Sequence, residues 1–257
     1  PWPDAAHVWT RSEGSPSRDG RYWCLQVDDG DFQGLGVFVL DLQEDRILGT
    51  LDSQGRRPDH VSMSPSGRYC VVSWTDEKGT VAYDQKLGNP RRLHGRSEHS
   101  DLAIDATGRD VFVSVDYDSR GGPLFMVDLG TGTRTNLLDT YLAGTATALH
   151  VSGKSFDRPG WIVVSTYAEH AGLLRPFSWR WLHGKVFLLP LQADPVPISL
   201  LHHHSEVEDY FAEPHASPDR TLGRILFNSN WQQPDGRVEA YMLKVPPLPP
   251  MGVAATR

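Results

Sequence analysis

One pattern recurs five times along the chain and decides most of what it can fold into. It reads EGSPSRDGRYWCLQV from Glu13, HVSMSPSGRYCVVSW from His60, DLAIDATGRDVFVSV from Asp101, HVSGKSFDRPGWIVVST from His150 and EPHASPDRTLGRILFNS from Glu213. Each copy is a short alternating strand, a polar turn, and an apolar strand of β-branched and aromatic residues. Proline presets φ in the turn, Ser or Asp bonds the backbone, and Gly takes the positive-φ position, which together make a hairpin.

A third strand follows every copy (GVFVLDL, GTVAYDQ, PLFMVDL, KVFLLPL, VEAYMLKV), and a more polar fourth follows the first four (RILGTLD, RRLHG, RTNLLDT, PISLLHH). Four antiparallel strands returning every ~40–60 residues are the blades of a β-propeller. The expected fold is therefore all-β, a single propeller domain over residues 1–257 with units starting near 13, 60, 101, 150 and 213. The fifth unit stops after its third strand. Either AHVWT, residues 6–10, supplies its outer strand and closes a five-bladed ring, or that segment belongs to a preceding blade of a larger ring, for example of seven blades.

Composition narrows the partners. Lys and Arg number 25 against 32 Asp and Glu, a formal charge of −7 with no basic block. That argues against nucleic acid and against an anionic membrane surface, and leaves a glycan, small molecule or protein. No apolar run approaches the roughly 20 residues of a membrane-spanning helix. The opening PWPDAAHVWT has no initiator Met and no signal-like segment, which reads as a mature chain or a fragment, with a secreted or periplasmic location expected. Cys24 and Cys70 sit one step apart in register within GRYWC and GRYC, so they should point to opposite faces and remain buried free thiols.

Aligning the units on their turns puts Glu13, His60, Asp101, His150 and Glu213 at the start of the innermost strands, with His99 at the rim and His215 one layer below Glu213. Second-strand exits on the same side carry Trp74, Tyr117, Tyr167, Asn228, Asn230 and Trp231, the mixture of aromatic faces and amides that a sugar site needs. Polar exits and aromatics packed between blades are the bland alternative. Unit four departs from the rest with a long insertion, AEHAGLLRPFSWRWLHG, carrying Arg175, Trp179 and Arg180. Long loops in compact folds are often functional, and arginine suits a carboxylate ligand.

The stretch HHHSEVEDYFAEPHAS, residues 202–217, raises the question of a metal. Adjacent strand residues face opposite ways, so His202, His203 and His204 cannot all bind one ion. A set drawn from His215, Glu213, His150 and His60, with His203 as a further candidate, suits manganese or zinc. There is no G-x-S-x-G elbow and no phosphate-binding glycine loop, so serine-hydrolase and nucleotide functions are not expected.

The SPSG, SPDR and EPHASPDRTLGRILFNSNW stretches resemble the SPDG repeats of TolB-like propellers, a group that includes oligogalacturonate lyases. The resemblance covers nearly the whole chain. It implies the propeller fold, and through the lyases a manganese held by histidines, which points to His215. The expected function is then β-elimination on a uronate-containing glycan. Arg175, Arg180 or a metal would neutralise the uronate, His150 or His60 would act as base, and Tyr167 or His99 as acid. The alternative is a non-catalytic propeller that binds a glycan, peptide or protein.

Overall fold

A computed structural model describes residues 1–11, 14–170, 180–207, 209–233 and 236–248. The fold is all-β, five antiparallel sheets met in chain order. The first holds β1 (His7–Trp9), β2 (Tyr22–Asp28), β3 (Gly34–Asp41) and β4 (Arg46–Asp52), and the second β5 (Pro58–Met63), β6 (Tyr69–Trp74), β7 (Thr80–Asp84) and β8 (Arg91–His94). The third holds β9 (Ser100–Ile104), β10 (Asp110–Val115), β11 (Pro123–Asp128) and β12 (Arg134–Asp139). The fourth holds β13 (Ala146–Ser152), β14 (Trp161–His170), β15 (Lys185–Pro190) and β16 (Ile198–His202). The fifth has three strands, β17 (Ser217–Pro218), β18 (Arg224–Ser229) and β19 (Glu239–Lys244), preceded by a 3₁₀ turn, Tyr210–Ala212. Among the described residues no helix is long and apolar enough to cross a membrane.

The chain forms two compact units. The first comprises residues 1–102, 110–112 and 127–133, and the second residues 103–109, 113–126 and 134–257. Each has a core made where one sheet lies on the next. In the first unit Cys24, Val37 and Val39 of one sheet meet Val61, Met63, Cys70, Val72, Trp74, Val81 and Tyr83 of the following sheet. In the second, Trp161, Val163, Val186 and Leu188 meet Ala216, Leu222, Ile225 and Phe227. These sets follow the two-residue period along each strand, so one face of a sheet serves one neighbour.

Two sequence expectations need correcting. The segment around His7 is neither the outer strand of the fifth sheet nor part of a preceding blade, because β1 pairs antiparallel with β2, Val8 opposite Val27, and so begins the first sheet. The cysteines are not free thiols. Cys24 and Cys70 are disulfide-bonded with Cα atoms 5.4 Å apart, within the usual range for a bridge. Their offset register does send them to opposite faces of their respective sheets. In stacked blades, the rear face of one sheet meets the front face of the next, so opposite faces are the ones that touch.

The bridge closes a separation of 46 residues, for which chain entropy predicts a stabilisation of about 3–4 kcal/mol. Replacing both cysteines by serine should lower the unfolding free energy by that order in a denaturant titration. Thiol counting in denaturant without reductant should find none, and two reactive thiols would contradict the bridge.

Candidate functional site

The second unit brings four predicted residues together. His150 lies in β13 opposite Ser165 of β14, and Tyr167 stands opposite Ala148 in the same ladder. Glu213 and His215 arrive from the segment between the 3₁₀ turn and β17. The His150 Nε2 to Glu213 Oε2 separation is 2.6 Å, and His215 Nε2 lies 3.7 Å from the same oxygen. The Tyr167 ring stacks on His150 with centroids 4.7 Å apart, and the His215 ring is 4.2 Å from His150 on centroids. His150 and Tyr167 are buried, whereas Glu213 and His215 are half-buried.

The local chain explains the convergence. Asp209 caps the 3₁₀ turn by accepting from the Phe211 and Ala212 N–H groups. The Tyr210 carbonyl then accepts from His215 Nε2 at 3.0 Å, and its ring meets His215 edge-on at 4.7 Å. The Ala216 N–H donates to Ser165 Oγ, tying the segment to the strand that carries His150's partner. His215 itself has φ +41°, a left-handed conformation that histidine tolerates better than most residues but that still costs about 1 kcal/mol. Tyr210 and Ser165 escaped the sequence reading; the Asp209 cap signal just before Tyr210 was the one available clue.

Unit five was misaligned by two residues. Ser217 and Pro218 are strand residues, and the turn opens at Asp219, whose N–H donates to the Arg224 carbonyl as Ser64 does to Tyr69. The residue equivalent to His60 and His150 is therefore His215, and Glu213 stands two residues earlier. Equating the Ser-Pro of SPDR with the Ser-Pro of SPSG produced the slip.

His60 occupies a separate environment in the first unit. Its Nε2 lies 3.0 Å from Ser100 Oγ and 3.1 Å from Ser73 Oγ, and Ser73 continues to Thr80 Oγ1, which donates to the Arg96 carbonyl. The His60 Nδ1 at 3.6 Å and the Ser97 hydroxyl at 2.8 Å hold the Asp59 carboxyl down at about 2. A cavity of about 570 Å³ lies beside Asp59, lined also by Thr75, Asp76, Arg96, Ser97 and Glu98. Asp101 is buried, accepts from the Leu102 N–H, and lines a void of about 10 Å³ with His60 and Ser100. His99 lies half-buried just before β9.

Other candidates have structural work. Trp74 is 1 % exposed, with Lys78 Nζ 4.2 Å above its ring, so it belongs to the core and offers no face to a sugar. His203 is no metal ligand. Its Nδ1 accepts from the Ser205 N–H and its Nε2 donates to the Thr166 carbonyl, which commits both ring nitrogens to backbone. Asn230 is similarly committed, accepting from the Glu206 and Gln232 N–H groups and donating to the Glu206 carbonyl. Asn228 is half-buried and gives its N–H to Pro214. Tyr117 stacks on Tyr141, whose hydroxyl donates to the Tyr117 carbonyl. Trp231 keeps an exposed ring beside His204 and Tyr241. The Arg180 N–H donates to His183 Nδ1, and among the described residues its buried Nε has no hydrogen-bond partner. Glu13, Arg175 and Trp179 lie outside the described residues.

The chemistry available at the second-unit cluster follows from its donors. A carboxylate can only accept, so the 2.6 Å contact places the His150 proton on Nε2 and the ring's lone pair on Nδ1. The Tyr210 carbonyl does the same to His215. His150, Glu213 and His215 each offer a ligand atom within 4.8 Å of the others. Two imidazoles and a carboxylate suit zinc or manganese. Ligands on one such ion stand about 3.3 Å apart, so the Glu213 carboxylate would move outward slightly to share an ion with His150.

No known family profile matches the chain, and no curated protein sequence does. Solved structures do. TolB from Acinetobacter baumannii superposes with a TM-score of 0.54 at 12% identity, covering 93% of this chain and 52% of TolB. A putative TolB from Agrobacterium tumefaciens gives 0.51 at 14% identity, covering 93% and 82%. An oligogalacturonate lyase in complex with manganese gives 0.31 at 11% identity, covering 91% and 88%, too low to carry an argument about chemistry. The chain spans about half the length of the Acinetobacter TolB. The likeness establishes the propeller fold and nothing finer.

Two outcomes test the structural assignments. Asp59 titrates below its unfolded value, so it stabilises the fold above the ordinary carboxylate range and that contribution is lost as pH falls towards about 2. The stability gap between wild type and Asp59→Asn should accordingly shrink through acid pH. Asn230→Ala should cost about 1–3 kcal/mol in denaturant unfolding, because it strands backbone groups of Glu206 and Gln232.

Proposed function

We propose that the second-unit cluster is the centre of a lyase-like propeller that carries out β-elimination on a uronate-containing glycan. The observation that carries this reading is the 2.6 Å His150–Glu213 contact with Tyr167 stacked against the same imidazole. Glu213 orients His150 and stabilises its protonated form, so His150 Nδ1 can take the proton next to the uronate carboxyl. Tyr167 stands beside it to give a proton to the departing glycosidic oxygen. His215, Tyr210 and Arg180 are the groups of this unit available to hold the sugar and its carboxylate.

A manganese or zinc ion held by His150, Glu213 and His215 would neutralise the uronate carboxylate. The two modes differ in the duty of His150, base in one and ligand in the other. The chain's charge of −7 weighs against a polyanion unless the site itself is positive, which an ion would achieve. The Cys24–Cys70 bridge supports a secreted or periplasmic location, since such bonds persist in oxidising compartments. A second reading, a non-catalytic propeller binding a glycan, peptide or protein, is favoured by the exposed Trp231 ring beside His204 and Tyr241.

The test is the ultraviolet absorbance of the unsaturated uronate product on pectic, alginate, ulvan and glycosaminoglycan substrates, with EDTA and with added manganese. Activity should fall about a hundred- to ten-thousand-fold in His150→Ala, and loss in EDTA restored by manganese would assign the metal mode. No product from any substrate, with folded protein, leaves the binding reading.

A further inference from the structure

The 3₁₀ turn that delivers Glu213 and His215 also lifts two aromatic rings out of the second unit. Tyr210 is 52% exposed, and Phe211, at 72%, is the most exposed large apolar side chain among the described residues. The turn does not need them for its own packing, since its buried residue is Ala212. It is nevertheless held firmly. Asp209 Oδ1 accepts from the Phe211 and Ala212 N–H groups at 2.9 and 3.1 Å, the Ser205 hydroxyl donates to the Ala212 carbonyl, and the Glu213 N–H donates to the Tyr210 carbonyl. Rings presented on a fixed turn lose little freedom when a ligand covers them.

The two rings continue the candidate site outward. Phe211 meets Tyr210 edge-on at 6.0 Å between centroids, Tyr210 meets His215 edge-on at 4.7 Å, and His215 lies 4.2 Å from His150. A saccharide chain whose uronate sits at His150 thus has Tyr210 and Phe211 beside its next sugar, and an aromatic face suits the C–H side of a pyranose. The charges decide which sugar that is. Glu206, Asp209 and Glu213 flank the rings in sequence, and no Lys or Arg occurs between Lys185 and Arg220. A carboxylate or sulfate laid over Phe211 would stand near the Asp209 carboxylate with no cation of this segment to pair it. Hydroxyl and amide groups, by contrast, can donate to the exposed carboxylates of Asp209 and Glu206.

Resting on the reading of the His150 cluster as a uronate site, we propose that Tyr210 and Phe211 hold the sugar next to the uronate and select an uncharged one. The substrate class is then an unsulfated glycan in which uronate alternates with a neutral or N-acetylated sugar, not a homopolymer of uronates.

Two substrate sets test it, the alternating hyaluronan, unsulfated chondroitin and heparosan, and the homopolymeric polygalacturonate and alginate. Initial rates of unsaturated-product formation are read beside calorimetric binding, both to the wild type and in the His150→Ala background where turnover interferes. An alternating glycan should bind and react at least about tenfold better than either homopolymer. Phe211→Ala should raise its KM about tenfold with kcat unchanged, and Phe211→Trp should restore it. Phe211 is so exposed that neither change should disturb folding, as circular dichroism would verify. Equal use of both sets, or a Phe211→Ala protein with unchanged KM and affinity, would overturn this proposal and leave the elimination reading standing. Binding of an alternating glycan that depends on Phe211 but yields no product would do the reverse. Neither binding nor product from any of the five would overturn both.

Discussion

The packing of one sheet against the next is the constraint on which the rest depends. A four-stranded sheet with two apolar faces is insoluble alone, and within each unit the chain's answer is to lay the rear face of one repeat on the front face of its successor. The Cys24–Cys70 bridge lies within one such contact, and the Trp161, Val163 and Ile225 cluster forms another. Because the apolar faces are spent on each other, the ends of the strands are left to carry polar chemistry. That is why His150 can sit buried beside a carboxylate while its strand neighbours Leu149 and Val151 serve the sheet.

The strands were legible because their signals are local. Alternating residues and Ser-Pro-Asp-Gly turns placed the third strands of all five units and the fourth strands of the first four where they are found, and among the described residues the fifth sheet has three strands. What the sequence could not convey was pairing over distance. Whether the His7 segment joined the first sheet or the last depends on contacts no local pattern encodes. The cysteine register was read correctly and its consequence wrongly, since the inference considered one sheet where the geometry involves two. The two-residue slip in unit five arose because serine and proline fit both a strand end and a turn.

Residue type also proved a poor guide to duty. Trp74, His203 and Asn230 have the chemistry of a binding site, yet each is engaged by its surroundings, the tryptophan by the core and the other two by hydrogen bonds to backbone groups. His150, Glu213, His215 and Tyr167 differ in meeting one another. The strained backbone at His215 is consistent with this, because a left-handed residue persists only where its surroundings over-determine it. The Asp209-capped turn and the Ser165 hydroxyl provide that constraint.

The most direct test of the account is a crystal structure of the His150→Ala protein with a uronate oligosaccharide. The sugar should lie against Tyr167 and His215, its carboxylate towards the cluster and its scissile oxygen within reach of the Tyr167 hydroxyl. A sugar bound elsewhere, with that cluster left to water, would contradict it.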